Sequence, residues 1–150
     1  GRAGVPQIVA PGATDMVDFP AWAPPPARFA GRPSHAHNRL IASGMCDAAE
    51  RREIAGEIAR RLRAAQAPSC LLLPLRGIEE WDREGQPLHD ADGLRAFVDA
   101  LRGESWAPAE FVEVDAHIND AAFADAALAV FDRWAAAGRI APGIRAATPA

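Results

Sequence analysis

The chain has 150 residues, a net charge of −4 and two cysteines. That length supports one domain with a sizeable core. The acidic balance disfavours a nucleic-acid backbone as partner, and no apolar run is long enough to cross a bilayer. Cys46 and Cys70 form no CxxC pair and no disulfide framework, which fits a reducing cytoplasm. The chain begins at Gly1, close to a strand and with no leader, so the reading here is an excised piece of a longer protein.

In chain order, residues 5–10 read as a buried strand because Val5, Ile8 and Val9 are β-branched. Pro11 and Gly12 stop it, and Thr14, Asp15 and Asp18 follow at once. Residues 11–38 have neither a helical nor an alternating pattern and contain six prolines, so they are expected to form a long irregular connection, anchored by Trp22 and Phe29. Residues 39–44 are expected to be a second strand. Asp47 and Glu50 look like a capping box opening a helix whose stripe is Ile54, Ile58 and Leu62. Its many arginines, Arg51 among them, alternate with glutamates and read as a solvated face.

Residues 69–75 are apolar on both faces, as in a central parallel strand, and Cys70 is expected to be a small core residue. A polar loop leads to Asp90 or Asp92 as the cap of the next helix, with Leu94, Phe97, Val98 and Leu101 as its stripe and Gly103 at its C′ position. Residues 110–116 form the last strand. Asn119 or Asp120 caps a final helix with Phe123, Ala127, Phe131 and Trp134 buried and Gly138 at its end. Residues 141–150 read as a loose tail. The order β, loop, β-α, β-α, β-α predicts a three-layer α/β/α, Rossmann-like domain with a mostly parallel sheet of about four strands.

In such a sheet the loops after the strands gather at one edge. Gly12, Thr14 and Asp15 would then meet Arg76 and Gly77, and also His117, Asn119 and Asp120. That inventory suits a small polar ligand and acid–base chemistry, with Asp15 or His117 as general base and Arg76 holding an anion. The alternatives are structural: Asp15 in an Asx-turn, Asn119 and Asp120 as helix caps, Arg76 paired with Glu79, Glu80 or Asp82, and His117 as a satisfied buried histidine. Asp18, His37 and Asn38 join the candidate set if the second strand is antiparallel or the long loop folds over the edge. If that strand is parallel, His37 lies at the opposite end. His35 and His37 face the same way on an extended segment, yet no full metal-ligand set accompanies them. There is no GxSxG, Walker A or GxGxxG motif, and no cofactor is named by the pattern.

The residues from Gly4 through Pro11, Gly12, Asp15 and Phe19 resemble the opening of the C-terminal half of the Tm-one-like proteins, relatives of the tomato mosaic virus resistance protein. Arg28 to Asn38, Leu71 to Gly77 with Asp82 and Gly85, and Asp115 to Asp120 with Phe123 look similar and keep their order. The resemblance covers residues 4 to about 130. It implies the second half of a two-domain protein, with each half α/β and an ATP-binding region associated with the other half. An Arg-Thr-Thr-like turn of the family is replaced here by Met45, Cys46 and Asp47. Two functions compete. One is a small-molecule half-site, polar or phosphorylated in ligand, completed by the protein's own N-terminal domain. The other is a dimerisation or docking module, a homo-oligomer with Trp22, Trp81 and Trp106 as contacts.

Overall fold

The computed structural model describes residues 3–140. The expectation for residues 141–150 lies outside the described residues. Strand β1 (Gln7–Val9) leads into β2 (Met16–Pro20), a short 3-10 turn (Ala27–Phe29), β3 (Ser34–Ala36) and β4 (Ile41–Met45). Helix α1 (Ala48–Arg63), β5 (Ser69–Pro74), α2 (Ala91–Arg102), β6 (Glu110–Val114) and α3 (Ala121–Ala136) follow. Among the described residues no helix is long and apolar enough to cross a membrane.

Among the described residues there are two sheets. A parallel one has the order β1-β5-β6, and an antiparallel one has the order β2-β4-β3. This corrects the expected single sheet of about four strands. The strand read at residues 39–44 exists as β4, but both its neighbours, β2 and β3, come from the segment expected to be irregular, and all three run antiparallel. The three prolines 24–26 lie between β2 and the 3-10 turn, where no ladder needs their missing N–H groups. Segments of three and five residues flanked by proline leave little periodicity to read.

The parallel sheet is where the core sits. β5 is buried along its whole length. Its side chains alternate: Leu71 and Leu73 pack with Ala55, Leu62, Phe97 and Leu101 of α1 and α2, whereas Cys70 and Leu72 pack with Phe123, Val130 and Trp134 of α3. Period two thus places two helices on one face and one on the other. Each fully buried leucine contributes about 1.5–3 kcal/mol. Burial pushes the Cys70 thiol up to about 11, consistent with a core role.

Local signals act as expected at several boundaries. Asp47 and Glu50 form a reciprocal capping box, and Asp90 caps α2 by accepting from Gly93 N–H. Gly138 follows α3 with φ +69°. Three details differ. Gly103 ends α2 in a right-handed conformation, with φ −73°. Asp120 stands at the cap position of α3, but its side chain makes no cap bond. Phe131 is 46 % exposed, and Val130 takes the buried position instead. Of the two aromatic anchors expected for the long connection, Phe29 is buried and Trp22 is 70 % exposed.

Phe29 holds the connection against the antiparallel sheet because β4 has no side chain at Gly44. A Cβ there would lie 2.8 Å from Phe29 Cδ1 and 3.0 Å from Phe19 Cε1. Gly44→Ala should therefore cost about 1–3 kcal/mol through overpacking. Urea denaturation of the variant against the parent checks this, and an unchanged midpoint would show that the ring moves aside freely.

Candidate functional site

The loops after β1, β5 and β6 meet at the carboxyl edge of the parallel sheet. Ala13 N–H donates to Ile78 O (2.9 Å), and Ile118 N–H donates to Gly77 O (3.0 Å). Glycine is required at Gly77, and Gly12 is a tight fit. A Cβ on Gly77, whose φ is +130°, would collide with Asp82 Oδ1 and lie 2.5 Å from His117 Cδ2; one on Gly12 would lie 3.3 Å from Ile118 Cδ1. Ala13 takes φ 52° to complete the first turn. Thr14 closes that turn, its hydroxyl donating to Pro11 O (3.0 Å).

Asp15 points inward and is 2 % exposed. Its Oδ2 lies 3.3 Å from Arg51 Nη1. Arg51 is itself 1 % exposed, which corrects the reading of its helix face as solvated at this position. Its Nε donates to Cys46 O (3.1 Å), and its Nη2 lies 3.2 Å from Asp90 Oδ2. Gly93 leaves room for the guanidinium, since a Cβ there would collide with Asp90 Oδ2 and lie 2.7 Å from Arg51 Cζ. Burial raises the Asp15 carboxyl above its ordinary value, and Arg51 opposes that shift. The signal for Arg51 was its spacing: with Ala55, Ala59 and Leu62 it completes the buried stripe of α1.

His117 is 1 % exposed, and both ring nitrogens are engaged. Nδ1 accepts from Asn119 N–H (3.1 Å), so the neutral ring carries its proton on Nε2. Nε2 then donates toward Glu79 O and Asp82 Oδ1, both at 2.9 Å. Asp82 accepts from Ile78 N–H and Glu79 N–H through its other oxygen. Asp120 Oδ2 accepts from His117 N–H, and its Oδ1 accepts from Arg83. Asn119 donates to Glu80 Oε2 (2.8 Å). Arg76 forms a two-pronged pair with Asp115 at 2.7 and 2.8 Å, both side chains being exposed.

Glu79 carried no separate signal in the sequence, being one acid among several in a polar loop. It is 4 % exposed. Its Oε2 accepts from Trp81 N–H (2.6 Å), while Oε1 is buried without a partner, as is Asp15 Oδ1. Burial, reinforced by the charges of Asp82 and Asp15, pushes the Glu79 carboxyl up to about 7.

Asp18, His37 and Asn38 belong to the antiparallel sheet. Asp18 lies opposite Ser43 on β4 and accepts from its hydroxyl. His37 Nε2 lies 2.6 Å from the same hydroxyl. The His37 ring packs 4.2 Å from the Trp81 ring, so the antiparallel arrangement does bring it to the loop after β5. Asn38 faces a turn, its Oδ1 accepting from Leu40 and Ile41 N–H. Among the described residues no group of three or more metal-binding side chains converges.

Beside the loop junction opens a cleft of ≈ 700 Å³ between residues 75–95 and α2. Five guanidinium groups border it: Arg51, Arg76, Arg83, Arg95 and Arg102. Four carboxylates share the border, Asp82, Glu84, Asp90 and Asp99, above a floor that includes Leu75, Leu88, Leu94 and Val98.

The family model for the C-terminal domain of an uncharacterised protein family, UPF0261, matches residues 1–135. A UPF0261 protein of Brucella melitensis is 54% identical over 143 residues, which cover 95% of this chain and 34% of that protein. A UPF0261 protein of Clostridium tetani is 32% identical over 122 residues, 81% of this chain and 30% of that protein. The ToMV resistance protein Tm-1(GCR237) of Solanum lycopersicum is 29% identical over 124 residues, 81% of this chain and 16% of that protein. The chain spans about a third of the length of the bacterial relatives it matches.

Two outcomes follow from the buried charges. Asp15→Ala leaves Arg51 buried beside an empty position and should cost about 3–5 kcal/mol in urea denaturation. Glu79 titrates near 7 in the fold against an ordinary 4.5, so its ionisation is resisted by the folded state. Its contribution therefore makes stability fall as pH rises from about 4.5 to about 7 and level off above. Glu79→Gln should remove that decline, which denaturation at about pH 5 and about pH 8 reads directly.

Proposed function

The chain belongs to the UPF0261 family, whose C-terminal domain it matches, and from that footing we propose that it binds a small polar or phosphorylated anion at the carboxyl edge of its parallel sheet. The observation that carries this reading is a cleft bordered by five arginines against four carboxylates, in a chain of net charge −4. Its volume, ≈ 700 Å³, falls within the range of small-molecule sites. Arginine is suited to the task because its planar fork matches phosphate and carboxylate oxygens. Arg76 and Arg83 are paired with the exposed or half-buried carboxylates Asp115 and Asp120. Surface pairs of this kind contribute about 0–1 kcal/mol, so an anionic ligand displaces them at little cost.

The reading treats the doubly covered parallel sheet as a Rossmann-like half, in which ligands gather outside the carboxyl ends of the strands. Arg76 and Arg83 orient the anion. The remainder of the longer protein forms the facing wall. Glu79 does not border this cleft, so its raised carboxyl is assigned no step there. His117 acts by positioning, because both its nitrogens hold the loops together. A second reading, a docking module, draws on Trp22 and Leu40, which are 70 % and 64 % exposed. These two side chains flank the bond from Ala21 N–H to Leu40 O.

A thermal-shift and calorimetric titration of the full-length protein with inorganic phosphate, sugar phosphates and dicarboxylates tests the first reading. Binding is expected, with the Arg76→Ala/Arg83→Ala double variant weakened at least about tenfold, equivalent to about 1.4 kcal/mol. An identical response in the double variant, or none in the parent, overturns it.

A further inference from the structure

His89 borders the arginine-lined cleft and is exposed, yet it is held in place from three sides. Before it in the chain, Leu88 is 1 % exposed, and its N–H donates to Trp81 O (3.0 Å). After it, Asp90 caps α2 and faces Arg51. The ring itself is fixed through Nδ1, which lies 2.9 Å from Asp82 O. A carbonyl oxygen only accepts, so Nδ1 carries the proton of the neutral imidazole. Nε2 stands on the opposite edge of the ring, turned away from that carbonyl. It is therefore a lone-pair acceptor on an exposed ring at the border of the cleft.

The other side-chain acceptors on that border are all carboxylates, Asp82, Glu84, Asp90 and Asp99. Asp82 is already engaged by Ile78 N–H, Glu79 N–H and His117. Asp90 is engaged by Gly93 N–H and Arg51. Glu84 and Asp99 remain exposed, and each repels an anion. A neutral ring nitrogen carries no such penalty. It can accept a hydrogen bond from a ligand that already holds negative charge. The border thus offers arginines for the charge and one uncharged acceptor for a donor on the same molecule. Leu75 and Leu94, both half-buried, give its carbon skeleton a surface.

We propose that His89 is the specificity-determining residue of this cleft, its Nε2 accepting from a ligand hydroxyl, so that the site takes a hydroxyl-bearing anion such as a sugar phosphate in preference to one with a plain alkyl body. The inference deepens the anion-site reading and rests on it. A histidine that only stapled its loop would use Nδ1 alone, whereas recognition uses Nε2. Substitution separates the two nitrogens. Asparagine keeps a donor near the place of Nδ1 and has no atom at Nε2. Glutamine brings its amide near the place of Nε2 and gives up the bond to Asp82 O.

The test is calorimetric titration of the full-length protein with glycerol phosphate and with propyl phosphate, which share charge and carbon count and differ in their hydroxyls. The parent is expected to bind glycerol phosphate about tenfold more tightly. His89→Asn should bring that ratio below about twofold, and His89→Gln should keep it above that of His89→Asn. Nitrogen-15 NMR of the parent should show a saturable change at His89 Nε2 with glycerol phosphate and a smaller one with propyl phosphate. A parent ratio near one, a ratio undiminished in His89→Asn, or an unresponsive Nε2 overturns the proposal. Equal binding of both phosphates that is weakened in the Arg76→Ala/Arg83→Ala variant sinks this proposal and leaves the anion site standing. No binding of either phosphate sinks both.

Discussion

A guanidinium taken out of water is tolerable only when its charge is met, and groups from three other places in the chain face Arg51, although its Nη2 makes no hydrogen bond. Asp15 comes from the turn after β1, the Cys46 carbonyl from the end of β4, Asp90 from the start of α2, and the arginine itself from α1. The same turn is tied to β4 a second time, through Cys46 N–H to Asp15 O at 2.8 Å. The antiparallel sheet is thereby fastened to the parallel half by a buried charge and a backbone bond. Asp90 serves two tasks at once, capping α2 with one oxygen and facing Arg51 with the other.

That arrangement concentrates negative charge. Asp82 and Asp90 act on Asp15, and Asp82 and Asp15 act on Glu79, with Arg51 the one buried cation beside them in the described residues. The group with the least compensation is Glu79, whose carboxyl is driven upward, while Asp15 is partly rescued by its arginine. Around this cluster the loop after β5 is folded tightly by Asp82, which accepts from two backbone N–H groups and from His117. The same loop borders the arginine-lined cleft through Asp82 and Arg83.

The elements with long, strong periodicity were legible in the sequence. β5 declared itself through an unbroken apolar run, and α1 and α2 through their caps and stripes. The convergence of the three strand-end loops followed from topology. The antiparallel sheet did not, because β2 and β3 are short, largely exposed and bounded by prolines, and each is ordered by pairing with β4 and not by a pattern of its own. Arg51 was hidden by its own charge, although its spacing with Ala55 and Ala59 fits the buried face. Glu79 was hidden among neighbouring acids, since nothing in a composition reports which of several carboxylates turns inward. On α3, Val130 and Phe131 stand side by side and both suit a core; the helix rotation that buries Val130 is decided by packing on β5 and β6.

The insertion of a whole sheet between β1 and its partner bears on how the chain assembles. Gln7 pairs with Ser69 and Val9 with Leu71, so this parallel ladder closes over everything from β2 to α1. By contrast β5, α2, β6 and α3 follow one another directly in the chain, although residues 75–90 make the first of their connections a long one. The entropic cost of loop closure falls most heavily on β1, which has only three ladder residues to offset it. High contact order of this kind slows folding. The expected order is that β1 and the turn behind it dock late, completing the Asp15–Arg51 pair after the two helices that frame the arginine.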